Sequence, residues 1–181
     1  MADLDLNALL LPIREDAPGG DDLEYDNDFI ALEQASKPSE ERVIGDSVIP
    51  AEDPEYGTVA AQATDLLTRT QDIRIASILA NAQLRTRGLD GFAQALRYMA
   101  GTLEAHWDHV HPQPDEEDGD LTMRVNAVLA LTSREGVLTS LRQAALIDSR
   151  VFGLVSLRDL EVASGDTSPG SGKILDSQTI L

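Results

Sequence analysis

Apolar and polar positions recur with a helical period along most of this chain. From Thr58 to Thr70, Val59, Ala63, Leu66, Leu67 and Thr70 share one face, which predicts an amphipathic helix. Thr70-Gln71-Asp72 interrupts the pattern and offers a cap for a second helix. Between Ile73 and Arg87, the apolar positions Ile73, Ile75, Ala76, Ile78, Leu79, Ala80, Ala82 and Leu84 cover most of the circumference. A helix apolar nearly all round is central, with neighbours on two sides. Gly88 suits its end, and Asp90 can cap the helix after it. From Gly91 to Trp107 the stripe is Phe92, Leu96, Met99, Leu103 and Trp107, with Trp107 and Val110 read as core anchors. Leu121, Val125, Val128 and Leu129 predict a helix over 120–132. Val137, Leu138 and Leu141 predict an inward-facing one over 137–145.

The flanks are less regular. Asp3 to Leu11 reads as a short helix or extended piece that docks on the core, and Pro12 and Pro18-Gly19-Gly20 would break anything longer. Asn27 to Ala35 is a helix with Phe29, Ile30 and Leu32 as its apolar members. Residues 36–53 read as a mobile loop with a short extended piece at Arg42–Ile44. Val151 to Val155 is β-branched and apolar, a short strand, and Leu157 to Ala163 a last helix. Ser164 to Gly172, rich in Gly, Pro and Ser, reads as a flexible linker. The expected fold is therefore mainly α: a compact multi-helix domain over 1–163, with at most a short β segment near residues 151–155. Residues 164–181 are expected to lead toward further domains of a longer protein.

Composition narrows the function. The 181 residues include no cysteine, so there is no disulfide framework, thiolate metal site or Cys nucleophile. No apolar run is long enough to span a membrane, and the acidic start lacks the basic region of a secretory signal, so a cytoplasmic location is expected. A net charge of −18 argues against nucleic acid or an anionic membrane face as the partner. That charge is uneven. Residues 1–53 carry 15 acids against 3 bases, residues 111–120 carry 5 acids and no base, and the rest is nearly neutral. All but two of the bases are Arg, the residue suited to bidentate pairing with carboxylates. Arg69, Arg74 or Arg124 is expected to tie the acidic stretch Asp21–Asp28 to the core. The N-terminal segment and the Asp115–Asp120 loop are the places where a basic partner would dock.

Reactive motifs are sparse. Gly170-Ser171-Gly172-Lys173 lacks the first Gly and the final Ser or Thr of a phosphate-binding loop. Gly19-Gly20-Asp21-Asp22 reads as a turn with Asp caps. Aligning Gly119 with the turn of a calcium loop puts Pro114 and Val125 at ligand positions, so that reading fails. His106, His109 and His111 are the only histidines, and their spacing could hold a metal. A metal-binding domain or metal-dependent enzyme built on them is the alternative to a structural role, which a helix C-terminus also favours for imidazolium.

Several blocks together resemble one family. Pro12-Ile13 and Pro18-Gly19-Gly20-Asp21-Asp22-Leu23-Glu24-Tyr25-Asp26-Asn27-Asp28-Phe29 are similar to the opening signature of the ImpA-related N-terminal domain found in TssA-type components of the type VI secretion system. Leu66 to Arg74, with Asp72-Ile73-Arg74, resembles its second block. Arg87 to Phe92, Trp107 to Pro112, Arg124 to Ala127 and Val155 to Leu160 resemble later ones in order. The resemblance implies a non-enzymatic, cytoplasmic assembly factor without cofactors that contacts baseplate, sheath or tube, and membrane-complex proteins. It implies ring formation only through C-terminal domains, so that this chain alone is expected to be a monomer or dimer, without membrane insertion. It also marks Asp21, Asp22, Leu23, Tyr25, Phe29, Asp72, Arg74, Trp107, Pro112 and Arg124 as structural or interaction residues.

Overall fold

A computed structural model describes residues 4–40, 42–44, 47–115, 117–151 and 153–166; for 42–44, 47–49 and Glu135 it describes the backbone alone. Residues 170–173 and most of the expected linker lie outside it. The described elements are α1 (Leu6–Leu9), α2 (Asn27–Ala35), β1 (Arg42–Ile44), β2 (Ser47–Ile49), α3 (Tyr56–Leu66), α4 (Ile73–His106), α5 (Thr122–Leu129), α6 (Thr139–Gln143), β3 (Ala145–Ser149), β4 (Gly153–Ser156) and α7 (Leu157–Ser164). The fold is mainly α, as the periodicity predicts, and among the described residues its β structure is two antiparallel hairpins, β1–β2 and β3–β4.

Capping sets several boundaries. Asp26 accepts the Asp28 amide at the start of α2, and Asp72 the Arg74 amide at the start of α4. Ser156 and Asp159 form a reciprocal capping box on α7. Gly88, with φ 64° and ψ −151°, breaks α4 into two helical halves. An L side chain is strained at that φ, so Gly belongs there.

The first half of α4 is the axis of the molecule. Ile73, Ile75, Ala76, Leu79, Ala80 and Ala82 are all buried in one core with Phe29 and Leu32 of α2, Val59, Ala63 and Leu66 of α3, and Val110 beyond the helix. Its second half buries Ala95, Tyr98, Met99, Thr102 and His106, while Phe92 and Leu103 are only partly covered. The inward face is thus rotated from the large apolar stripe, because small and polar side chains let other segments approach there. Trp107 is 48% exposed, not a core anchor; Val110 is fully buried.

Three further expectations change. Residues 36–53 contain a hairpin, with Arg42 opposite Ile49 and Ile44 opposite Ser47. The helix expected over 137–145 is a π turn (Arg134–Leu138) followed by α6, with Val137 buried and Leu138 exposed. Its last residue, Ala145, starts β3, which pairs with β4 (Ile147 opposite Val155, Asp148 opposite Leu154), and Val151 lies in the connecting turn.

The third change is in α5, whose apolar stripe points outward. The inward positions are Arg124 and Ala127. The cause is local. The chain leaving α4 runs irregularly through 107–112 and presents carbonyls without helical partners. Arg124 supplies the donors: Nε to Pro112 O at 2.7 Å, and its two terminal nitrogens to Trp107 O at 2.9 Å and Val110 O at 2.8 Å. Its guanidinium also lies 4.7 Å from the Trp107 ring centre. Burial lowers the Arg124 pKa from its ordinary value, offset in part by Asp108. Ser77 of α4 donates to Ala127 O at 2.6 Å, fixing the C-terminal part of the same helix.

Arg124→Ala is expected to cost about 3 kcal/mol in urea unfolding, because it orphans buried carbonyls. Arg124→Lys is expected to recover less than half of that, since an ammonium cannot span the three acceptors as a planar fork does.

Candidate functional site

The blocks that resemble a family converge where α3 turns into α4. Residues 70–72 run as a short extended segment between two others. Gly20 bridges to Thr70 on one side, and His111 to Asp72 on the other. Gln71 N–H donates to Gly19 O at 2.7 Å, His111 N–H to Gln71 O at 2.8 Å, and Ile73 N–H to His111 O at 3.0 Å. The turn at Gly19-Gly20 and the exit from α4 are thereby tied to one link.

Gln71 is fully buried, and its amide is saturated. Nε2 donates to Leu9 O at 2.8 Å and Leu11 O at 3.2 Å. Oε1 accepts from Tyr98 Oη at 2.7 Å and Thr102 Oγ1 at 3.1 Å. Two donors and two lone pairs are all that a glutamine side chain has. Burial pushes the Tyr98 phenol well above its ordinary pKa, with Asp72 adding to the rise and Thr102 opposing it. Gly19 passes so close to the His109 backbone that a Cβ would lie 1.8 Å from its carbonyl oxygen.

Around this link the acidic stretch is laced down by arginines. Arg74 holds buried Asp72 through Nε at 3.1 Å and a terminal nitrogen at 2.7 Å. The same guanidinium reaches Asp22 at 3.0 Å and Glu24 at 3.3 Å, and lies 5.1 Å from the Phe29 ring centre. Burial works against its charge, but the bond to Asp72 and the pull of Asp72 and Asp22 raise its pKa above the ordinary value. Arg69 pairs with Asp26 at 2.6 Å and Asp28 at 3.0 Å, and Arg14 with Asp21 at 2.6 Å. Arg69 and Arg74 therefore reach the acidic stretch, while Arg124 is spent on carbonyls. Leu23 and Phe29 are buried beneath, Pro112 is buried beside His111, and Tyr25 stands out at 87% exposed.

The three histidines do not meet. His106 Nε2 faces Leu10 O at 3.0 Å, His111 Nε2 faces Gly20 O at 3.3 Å, and His109 is exposed. His111 Nδ1 is buried without a hydrogen-bond partner, 4.0 Å from Asp22. Among the described residues no three His, Asp or Glu side chains are grouped to hold a metal, so the geometry gives the metal alternative no site. A groove of about 550 Å³ opens beside Arg74, between the end of α2, α4 and the turn after α5, with Lys37, Tyr56, Asn81 and Val137 in its wall. Among the described residues, no helix is long and apolar enough to cross a membrane. Gln71, Tyr98 and Thr102 were not singled out by the sequence; the signal available was a polar triplet between two strongly apolar segments.

Arg74→Ala is expected to cost about 3 kcal/mol, because it strands a buried carboxylate. Arg69→Ala, whose partners are largely solvated, is expected to cost under about 1 kcal/mol. Equal losses in urea titration would contradict this division. Low pH tests the same contacts. The bond from Arg69 holds Asp26 below its ordinary pKa, as Arg14 does Asp21, and the Thr122 hydroxyl and backbone do the same for Asp120. A lowered folded-state pKa means stability present above the unfolded value, about 4, and lost as pH falls below it. The melting temperature is expected to fall from about pH 4 downward, less steeply in Arg69→Met.

Residues 10–133 match the family model described as ImpA, N-terminal, type VI secretion system. The chain is 40% identical over 163 residues to the type VI secretion system component TssA1 of Pseudomonas aeruginosa, an alignment covering 90% of this chain and 47% of that protein. It thus spans about half the length of that curated relative. A solved structure, the N-terminal domain including the conserved ImpA_N region of the TssA component from Burkholderia cenocepacia, superposes with a TM-score of 0.71 at 30% identity. That match covers 91% of this chain and 60% of the other. The chain belongs to the ImpA N-terminal family of type VI secretion system components.

Proposed function

We propose that this chain is a non-enzymatic, cytoplasmic interaction domain of a TssA-type component, recruiting baseplate, sheath or tube, or membrane-complex proteins of the secretion machine. One observation carries the reading. Three charged side chains of the family-like blocks are directed at the domain's own parts: Asp72 and Arg74 pair with each other, Arg74 also reaches Asp22 and Glu24, and Arg124 donates to backbone carbonyls. Gln71, within the second block, is saturated by the α1 segment and by Tyr98 and Thr102 of α4. Such a network stiffens a scaffold and leaves the outer surface to recognition. The relatives are named as components of this secretion system, and the acidic exterior suits a basic partner.

Purified baseplate, sheath, tube and membrane-complex subunits from the same organism, presented singly to the immobilised chain, test this. At least one is expected to bind with a dissociation constant of about 10 μM or tighter, the range of specific interfaces. Binding to none would contradict the proposal.

A further inference from the structure

The outward face of α5 calls for a partner. Leu121, Met123, Val125, Val128 and Leu129 are between 36% and 53% exposed. Residues 121, 125, 128 and 129 form one stripe at helical spacing. Between Leu121 and Leu131 the only charged residue is Arg124, and it points inward. Isolated apolar side chains on a surface are ordinary, but a contiguous uncharged stripe marks an interaction site. Here it is also an inverted helix, with the cation buried and the aliphatic residues half-exposed. The Arg124 contacts account for what lies inside; packing among the described residues leaves five large apolar side chains half-exposed outside.

At its N-terminal end the stripe meets a second feature. A concavity of about 320 Å³ is lined by Asp115, Glu117, Asp118, Asp120, Thr122 and Met123, and Asp120 directly precedes Leu121, the first residue of the stripe. Backbone amides of the loop bond to Asp115, Asp118 and Asp120, which fixes its shape. Among the described residues, none of these four carboxylates is paired with a Lys or Arg. The unneutralised acidic cup therefore adjoins the N-terminal end of the apolar stripe.

We propose that this surface docks an amphipathic helix of another protein, its apolar side laid along α5 and lysines or arginines at one end seated in the Asp115–Asp120 cup. Helix-on-helix packing accounts for the stripe, and charge complementarity for the cup and the orientation. A second copy of this chain is a poorer occupant, since it carries its own charge of −18 and a second acidic cup to the contact. The inference rests on the proposed function, and the partner is a subunit of the secretion machine.

Two variants of the full 181-residue chain test it: Val125→Ser with Leu129→Ser, and Glu117→Lys with Asp118→Lys. All four side chains are exposed, so melting temperatures are expected to fall by no more than about a few degrees, the charge-reversed pair losing the bond that Asp118 accepts from the Asp120 amide. Each is titrated by biolayer interferometry against the purified baseplate, sheath, tube and membrane-complex subunits. The apolar pair is expected to weaken the wild-type interaction about tenfold or more. The charge-reversed pair is expected to weaken it and to flatten its dependence on salt. If the wild type binds a subunit and both variants bind it equally well, this inference is overturned and the proposed function stands. If the wild type binds no subunit, both fall. If the wild type sediments as a dimer that Val125→Ser with Leu129→Ser dissociates, the occupant is a second copy and the inference is overturned.

Discussion

The fold depends on one buried amide. Gln71 sits between α3 and α4, where neither helix can satisfy its backbone, and it joins segments from four parts of the chain. Leu9 and Leu11 come from the N-terminal segment, Gly19 from the turn after it, Tyr98 and Thr102 from the second half of α4, and His111 from the exit of α4. A buried polar group is costly unless every donor and acceptor is used, and here all are. Removing the amide would orphan several partners at once. Apolar burial supplies the bulk of the stability, but it does not specify which segment lies beside which. The Gln71 bonds do.

Electrostatics extends this arrangement outward in layers. Innermost is the pair of Asp72 and Arg74, where a fully buried carboxylate caps α4 and anchors the guanidinium. Next come Asp22 and Glu24, held by the outer nitrogens of the same Arg74. Outermost are the solvated pairs of Arg69 with Asp26 and Asp28, and of Arg14 with Asp21. Energetic weight falls along that order, because solvent screens exposed pairs and not buried ones. Much of the N-terminal acidity is thus structural, whereas the Asp115–Asp120 carboxylates bind no cation among the described residues of their own chain.

The helices were readable where periodicity and capping agree. The nearly all-apolar run from Ile73 to Leu84 announces a central helix, and Gly88 its break. The acidic signature after Pro18 and the arginines at 69 and 74 pointed to a strap pinned on the core. Periodicity failed where a long-range contact outweighed it. On α5 the apolar stripe was legible but its direction was not, because Arg124 answers carbonyls between 107 and 112. At Ala145 a helix-compatible sequence becomes a strand because β4 pairs with it. The role of Gln71 was not legible for the same reason: its partners lie up to 62 residues away, and the polar triplet at 70–72 marks a break without telling a buried glutamine from a solvated one.

Native-state hydrogen exchange on Gln71→Leu tests the central claim most directly. The substitution keeps a side chain of similar size and removes every side-chain bond of the link. Protection at the Ile13, Gly20 and His111 amides is expected to collapse together, while amides in the middle of α3 and in the first half of α4 stay protected. Protection unchanged at those three amides would show that the segments are held by packing alone, and would contradict the account.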